Sequence, residues 1–331
     1  MPVPLIDPYR RTVRDLRLSV TDRCNFRCTY CMPQEAMSWL ARSEVLSYEE
    51  MERVVAVLVG RYGFESVRIT GGEPTVRAHL PVLVGRLAAL GVELSMTTNG
   101  AALGLLAGDL RAAGLGRVNI SLDSLRPDRF ASITGRDALL RVLDGIDAAL
   151  AAGMDPVKVN CVLVRGVNDD EILDFAELGR RTGAEVRFIE WMPLDGDRAW
   201  SGDRVVPAEE VVKVLATRYE LEAVGGGVIG GSAPAERYRY LDGSGHIGVV
   251  ASVTRPFCAT CDRIRLTAEG QLRNCLFSVR ETDLRAILRG GGSDDDLAAA
   301  IEAEVGRKWA GHSIGQVRFV RPARSMSQIG G

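Results

Sequence analysis

Six short apolar runs, each answered by an amphipathic stretch, constrain the fold of this chain more than any other feature. The runs occupy residues 15–20, 66–70, 92–97, 117–122, 157–164 and 185–190. They are rich in Val, Ile and Leu, as buried parallel strands are. Helical patterns lie near 47–61, 77–90, 103–114, 137–152, 169–182 and 207–219. Ser47 and Glu50 open the first of these with the spacing of a capping box. Repeated βα units with right-handed crossovers predict an α/β fold on a parallel sheet. Six units suit an open, partial (β/α)6 barrel better than a closed eight-stranded one.

In βα barrels the active site is built from loops at the carboxyl ends of the strands. The unusual segments of this chain fall there. A cysteine loop follows the first run and Gly71-Gly72-Glu73-Pro74 the second. Thr97-Thr98-Asn99-Gly100, Ser121-Leu122-Asp123-Ser124 and Glu190-Trp191-Met192-Pro193 close the third, fourth and sixth. Each alone reads as a common turn or helix start; five on one face of one sheet read as a site. A glycine run over 225–232 marks a boundary. It divides a barrel domain, 1–223, from a smaller C-terminal α+β domain, 224–331.

Six of the seven cysteines stand in two compact groups. Cys24, Cys28 and Cys31 have the spacing C-x3-C-x2-C, with Tyr30 before the last. Thiolates select zinc, copper(I) or iron–sulfur clusters. A structural zinc site needs four ligands, and the first histidine is His79. Three thiolates instead suit a [4Fe–4S] cluster with one iron open to another ligand; a zinc loop borrowing a distant ligand is the alternative. The second group is Cys258, Cys261 and Cys275. Strand-like runs over 263–267 and 271–274 flank Ala268-Glu269-Gly270, a hairpin signal that returns Cys275 towards Cys261. Again three thiols converge, as a second open cluster or a zinc knuckle. Arg263 and Arg265 share one strand face beside it, a costly arrangement unless an anion sits there. With no G-x4-G-K-[ST] loop, a polyphosphate would be held by Arg17, Arg68, Lys158, Arg263 and Arg265. Cys161, in an apolar run, reads as a small core residue.

The rest of the composition excludes more than it selects. A net charge of −2 over 331 residues, with no arginine-rich tail, argues against nucleic acid as a partner. No apolar run reaches the roughly 20 residues needed to span a membrane. The start lacks the layout of a signal peptide, and the cysteines favour a reducing, cytoplasmic setting.

With both cysteine groups placed, the chain resembles the GTP 3′,8-cyclase family, the radical S-adenosylmethionine (radical SAM) enzymes that open molybdenum cofactor biosynthesis. The likeness runs nearly end to end. It rests on the first cysteine loop, Arg68-Ile69-Thr70-Gly71-Gly72-Glu73-Pro74, Thr97-Thr98-Asn99-Gly100, Asn119-Ile120-Ser121-Leu122-Asp123-Ser124, the C-x2-C-x13-C group with Arg-x-Arg, and the closing Gly330-Gly331. The resemblance implies two [4Fe–4S] clusters, one on Cys24, Cys28 and Cys31 and one on Cys258, Cys261 and Cys275. It implies SAM contacts from Tyr30, Gly72, Ser121 and Met192. GTP contacts would come from Arg17, Arg68, Thr97, Lys158, Arg263, Ile264 and Arg265, with Arg17 also catalytic. The implied reaction is reductive cleavage of SAM to a 5′-deoxyadenosyl radical, hydrogen abstraction from ribose C3′ of GTP, and attack of that carbon on C8. The implied partners are GTP, a flavodoxin-like reductase, the next enzyme, cyclic pyranopterin monophosphate synthase, and a second copy in a homodimer. The terminal glycines, preceded by Arg318, Arg321 and Arg324, would reach into the active site. Ser66 departs from the family, which often carries a basic residue there. A radical SAM enzyme that modifies a peptide is the rival reading, and a zinc or iron–sulfur module without catalysis is another.

Overall fold

The computed structural model describes residues 2–32, 38–224, 234–314 and 319–330; the glycine run, Arg318 and Gly331 lie outside them. Strands form where the six apolar runs stand: β1 (Asp15–Ser19), β2 (Ser66–Thr70), β3 (Glu93–Thr98), β4 (Arg117–Ser121), β5 (Val157–Leu163) and β6 (Glu185–Glu190). They pair in parallel in chain order, as a partial barrel does. Helices α1 (Tyr48–Tyr62), α2 (Leu80–Ala88), α3 (Leu103–Ala112), α4 (Pro127–Thr134), α5 (Leu139–Ala151), α6 (Ile172–Thr182) and α7 (Ala208–Ala216) make the outer layer. The capping box is present: Ser47 Oγ accepts from the Glu50 N–H, and Glu50 accepts from the Ser47 N–H. At the other end of α1, Gly63 stops the helix in the left-handed conformation, φ +68°.

The strands are apolar on one face, not two. Leu16 and Leu18, Val67 and Ile69, Leu94 and Met96, Val118 and Ile120 pack with the helices in a single core, and Cys161 lies in it. The alternate positions face the barrel interior, and they are polar: Arg17, Arg68, Ser95, Asn119, Lys158, Arg187. A strand packed against helices outside and a polar chamber inside keeps the period of two that a strand covered by apolar layers on both sides would lose.

Six further strands join the same sheet: β7 (Leu221–Ala223), β8 (Glu236–Tyr240), β9 (His246–Val250), β10 (Arg263–Leu266), β11 (Gln271–Arg273) and β12 (Thr282–Asp283), while Leu5–Ile6 and Thr12–Val13 pair as a separate short ladder. The six extend the barrel sheet at both edges, giving the order β12-β11-β10-β1-β2-β3-β4-β5-β6-β9-β8-β7. β10 runs parallel to β1, with Arg263 opposite Asp15 and Arg265 opposite Arg17. β9 runs parallel to β6. The β10–β11 turn is the expected hairpin, with Gly270 at φ +86° and Thr267 and Gln271 bonded across it. Helices α8 (Leu284–Arg289), α9 (Asp294–Val305) and α10 (Met326–Ile329) complete the described chain.

Candidate active site

The first cysteine loop is braced from the ends of the barrel strands. Glu73, almost wholly buried, accepts from the Thr98 hydroxyl (2.7 Å) and the Asn99 N–H (2.7 Å). Asn99 in turn donates to Asn25 Oδ1 within the loop (2.8 Å). On the other side Tyr30 donates its hydroxyl to Asp123 (2.6 Å), which also accepts from Val162 N–H (2.8 Å). Burial pushes the Asp123 carboxyl up to about 6 despite these bonds. Helix α4 adds support that sequence reading passed over: the carbonyls of Thr134 and Ile133 accept from Arg27 N–H and Thr29 N–H. Its signal was there, with Pro127 just inside the helix and Gly135 just past it.

Gly71 and Gly72 do permit a close approach, but to the chain's own backbone. A Cβ on Gly72 would lie 2.5 Å from Asp22 O and as near to Arg23 O. Gly72 N–H and Glu73 N–H donate to Thr21 O and Arg23 O, both 2.8 Å. The glycines therefore seat the stretch that leads into Cys24.

All three thiols of the loop are partly buried. Burial, before any other influence, pushes Cys24 up to about 11 and Cys31 up to about 12. Metal uptake here therefore releases protons. Among the described residues, no three His, Cys, Asp or Glu side chains converge tightly enough to hold a single metal ion. In a cubane each thiolate meets its own iron, so three thiols on one braced loop fit a [4Fe–4S] cluster with one iron left open.

The second group sits at the opposite end of the barrel strands. Cys258 and Cys261 precede β10, which is parallel to β1, and Cys275 follows the antiparallel β11. Five residues of β1 separate the two ends, so the groups stand roughly 15 Å or more apart. The carbonyl of Cys258 accepts from Arg11 (2.6 Å), whose charge Asp7 matches (2.5 Å). Gly311 lies so near that a Cβ there would be 2.7 Å from Cys258 Cβ. Burial pushes the Cys261 thiol up, but Lys308 and Arg263 outweigh it and hold the thiol below its ordinary value. The segment 308–312 is thus a wall of this group, which its distance in sequence concealed.

A cavity of about 370 Å³ lies on the barrel interior. Its lining includes eight arginines and lysines against four carboxylates, an excess that calls for an anionic ligand. Arg17, Arg68, Lys158, Arg263, Arg265 and Met192 all border it. Arg17 is buried beside Asp15 (3.2 Å), and burial lowers it to about 10. Arg68 donates to Ser95 Oγ (3.1 Å). Burial, then Arg17, lowers Arg265 to about 9; its guanidinium donates to the carbonyl of Gly330. Ser66 borders the cavity too, as do Arg117, paired with Glu93 (2.7 Å), and Arg187, paired with Glu185 (2.6 Å). Arg117 and Arg187 went unnoticed in the sequence; the alternation that places them is the one that places Arg68 and Lys158.

Two of the expected GTP contacts, Thr97 and Ile264, do not border this cavity. Thr97 is on the interior face, above Ser95, without bordering this cavity. The side chain of Ile264 is fully buried in the core, so only its backbone can serve a ligand. Tyr30 borders a separate cavity of about 290 Å³ with Asp123, Asn168 and Trp191. The C-terminal tail runs between the groups: Ser327 hydrogen-bonds the Cys31 thiol, and Gly330, at φ +73°, packs against Ser19 and Thr70. A larger cavity of about 770 Å³ lies outside, by the first turn of α1, and includes no thiol in its lining.

Comparison with known proteins agrees with this geometry. Residues 18–179 match the radical SAM superfamily, and residues 184–314 match the molybdenum cofactor synthesis C family. A GTP 3′,8-cyclase of Streptomyces coelicolor is 50% identical over 99% of this chain and 96% of its own. One from Mycolicibacterium smegmatis is 47% identical over 99% and 92%. Among solved structures, Streptococcus suis SuiB bound to its precursor peptide SuiA superposes with a TM-score of 0.59 at 13% identity, covering 89% of this chain and 68% of SuiB. At that identity the likeness is one of fold.

Proposed function

The chain belongs to the GTP 3′,8-cyclase family of radical SAM enzymes, and on that premise we propose that it converts GTP to 3′,8-cyclo-7,8-dihydro-GTP, the first step of molybdenum cofactor biosynthesis. One observation carries the reading: a cation-rich chamber on the barrel interior, in a barrel whose strands have a group of three cysteines beyond each end. A peptide-modifying enzyme of this fold would have little use for that excess of buried positive charge; a nucleoside triphosphate needs it.

Cys24, Cys28 and Cys31 hold one [4Fe–4S] cluster, and Tyr30, Gly72, Ser121 and Met192 contact SAM. Cys258, Cys261 and Cys275 hold a second. When bound, the first cluster and SAM together supply a carbon-centred radical able to take hydrogen from ribose C3′. The protein's own part is to bind, orient and exclude water. Arg68, Lys158, Arg263 and Arg265, with the backbone of Ile264, hold GTP along the chamber, and Thr97 meets it from further along the same interior face. Arg17 takes the catalytic part, a buried guanidinium that meets substrate charge during the reaction. The tail, anchored by Arg321 on Asp195 (2.8 Å) and by Arg324 on Glu281 (2.7 Å), helps keep solvent out. The reading places the enzyme in the cytoplasm, with a flavodoxin-like electron donor upstream and cyclic pyranopterin monophosphate synthase downstream.

The test is anaerobic incubation of iron-reconstituted protein with SAM, a strong reductant and one nucleotide or none, followed by mass spectrometry. The expected result is 5′-deoxyadenosine only with GTP, together with a new species isomeric with GTP. Slow SAM cleavage regardless of nucleotide would remove the substrate assignment.

A further inference from the structure

Lys308 is a buried cation with an unusual set of neighbours. Its side chain follows α9 back into the protein and is 4% exposed. Its ammonium donates to the carbonyl of Asn274 (2.5 Å) and the carbonyl of Arg263 (2.7 Å). Its third direction is towards Cys261 Sγ, at 4.0 Å. Among the described residues no ion pair joins it to a carboxylate; Glu304, four residues before it, turns one carboxylate oxygen to Arg307 (2.6 Å) and Thr282 (2.7 Å).

The carbonyls matter for where they stand. Asn274 immediately precedes Cys275, and Arg263 is two residues after Cys261. One ammonium thus ties together the two strand ends that carry two of the three cysteines. A buried cation facing only carbonyl dipoles and a sulfur lacks its counter-charge. The group that can supply it is a thiolate at Cys261, and beyond that a ligated cluster. The arrangement differs at Cys258, where Asp7 already balances Arg11.

We propose that Lys308 is the positioning and charge-compensating residue of the second cluster, pinning the ends that carry Cys261 and Cys275 and giving its third N–H to Cys261 Sγ. The inference rests on the second-cluster reading above. Hydrogen bonds to ligating sulfur and net charge near a cluster are what tune its potential. A fixed positive charge favours the more negative, reduced form, so Lys308 makes this cluster easier to reduce.

The experiment uses the full chain with Cys24, Cys28 and Cys31 all changed to Ala, so that only the second group can hold iron. Lys308→Met removes the charge, and Lys308→Arg keeps it. Iron and acid-labile sulfide are counted, and each protein is reduced stepwise while the reduced cluster is followed by electron paramagnetic resonance. The triple-Ala parent should carry about four irons. At the ambient potential that half-reduces it, Lys308→Met should show a reduced-to-oxidised ratio lower by about tenfold or more, and Lys308→Arg should stay within about threefold of the parent. Loss of iron in Lys308→Met but not in Lys308→Arg also supports the proposal, through its pinning role. Equal behaviour of both variants, whether unchanged titration or equal loss of iron, overturns it. A parent without iron overturns the second-cluster reading itself, a result separate from either.

Discussion

Raising the pH should weaken GTP binding through one side chain, Lys158. It stands on the interior face of β5, where burial first, and then Arg187 and Arg68, push its ammonium down to about 7. A bound triphosphate offsets those cations and favours the charged form, returning the lysine towards its ordinary value near 10.4. The form that binds is protonated. Below pH 7 the free site already holds that proton, so affinity is flat. Above pH 7 each unit raises Kd about tenfold until the bound lysine itself begins to titrate. At pH 8 about nine-tenths of free sites lack the proton, so binding should take up about 0.9 proton. Isothermal titration calorimetry reads this directly, with SAM and reductant omitted and buffers of different ionisation enthalpy at pH 8. The slope of observed enthalpy on buffer enthalpy is the proton count. Lys158→Gln and Lys158→Arg should both bring it near zero, and Lys158→Gln should bind about ten- to a hundredfold more weakly at pH 6.5. The same depressed value gives a stability trend. Between pH 7 and about 10 the unfolded lysine binds a proton that the folded one does not, so GTP-free stability from this group rises with pH across that window. A wild-type slope near zero, or a slope unchanged by Lys158→Gln, refutes the reasoning.

Gly72→Ala places a methyl against the backbone of Asp22 and Arg23, so the stretch entering Cys24 must move; iron in the first group, counted with the second group's cysteines removed, should fall by half or more. Asp123→Asn weakens the accepting partner of Tyr30, and SAM affinity measured by equilibrium dialysis should drop about tenfold, with no change in GTP affinity. Deleting Gly330 and Gly331 removes the carbonyl that Arg265 holds. Cyclisation should fall at least about a hundredfold while iron content stays unchanged; retained cyclisation would sink the role given to the tail.

Much of the fold was legible because periodicity reports burial. The six barrel strands and the β10–β11 hairpin stand within a residue or two of the sequence reading. The parity of each strand then carries site information as well: Arg17, Arg68 and Lys158 share the interior face, and the same count would have included Arg117 and Arg187. Ile264, between its two arginine neighbours, has the opposite parity, so its side chain packs in the core and only its backbone is left for a ligand. What stayed hidden was whatever depends on distant segments meeting. Nothing near Cys261 announces Lys308, which reaches it only because α9 turns the chain back. Gly71 and Gly72 look the same in sequence whether or not they also admit, as here, the chain's own Thr21–Arg23 backbone. Helix α4 is short and follows a charged loop, so its caps were the only signal.

The pairing of β10 with β1 has a consequence for how the chain is made. Leu16 and Ile264 are partners, yet about 250 residues of synthesis separate them. At roughly 5–20 residues per second, β1 leaves the ribosome and waits on the order of 12 to 50 seconds for the strand that covers its edge. An uncovered edge strand is a template for pairing with another chain. The edge of the nascent barrel is therefore a point where a chaperone has time to act, and where crowding of nascent chains would first cause loss of product.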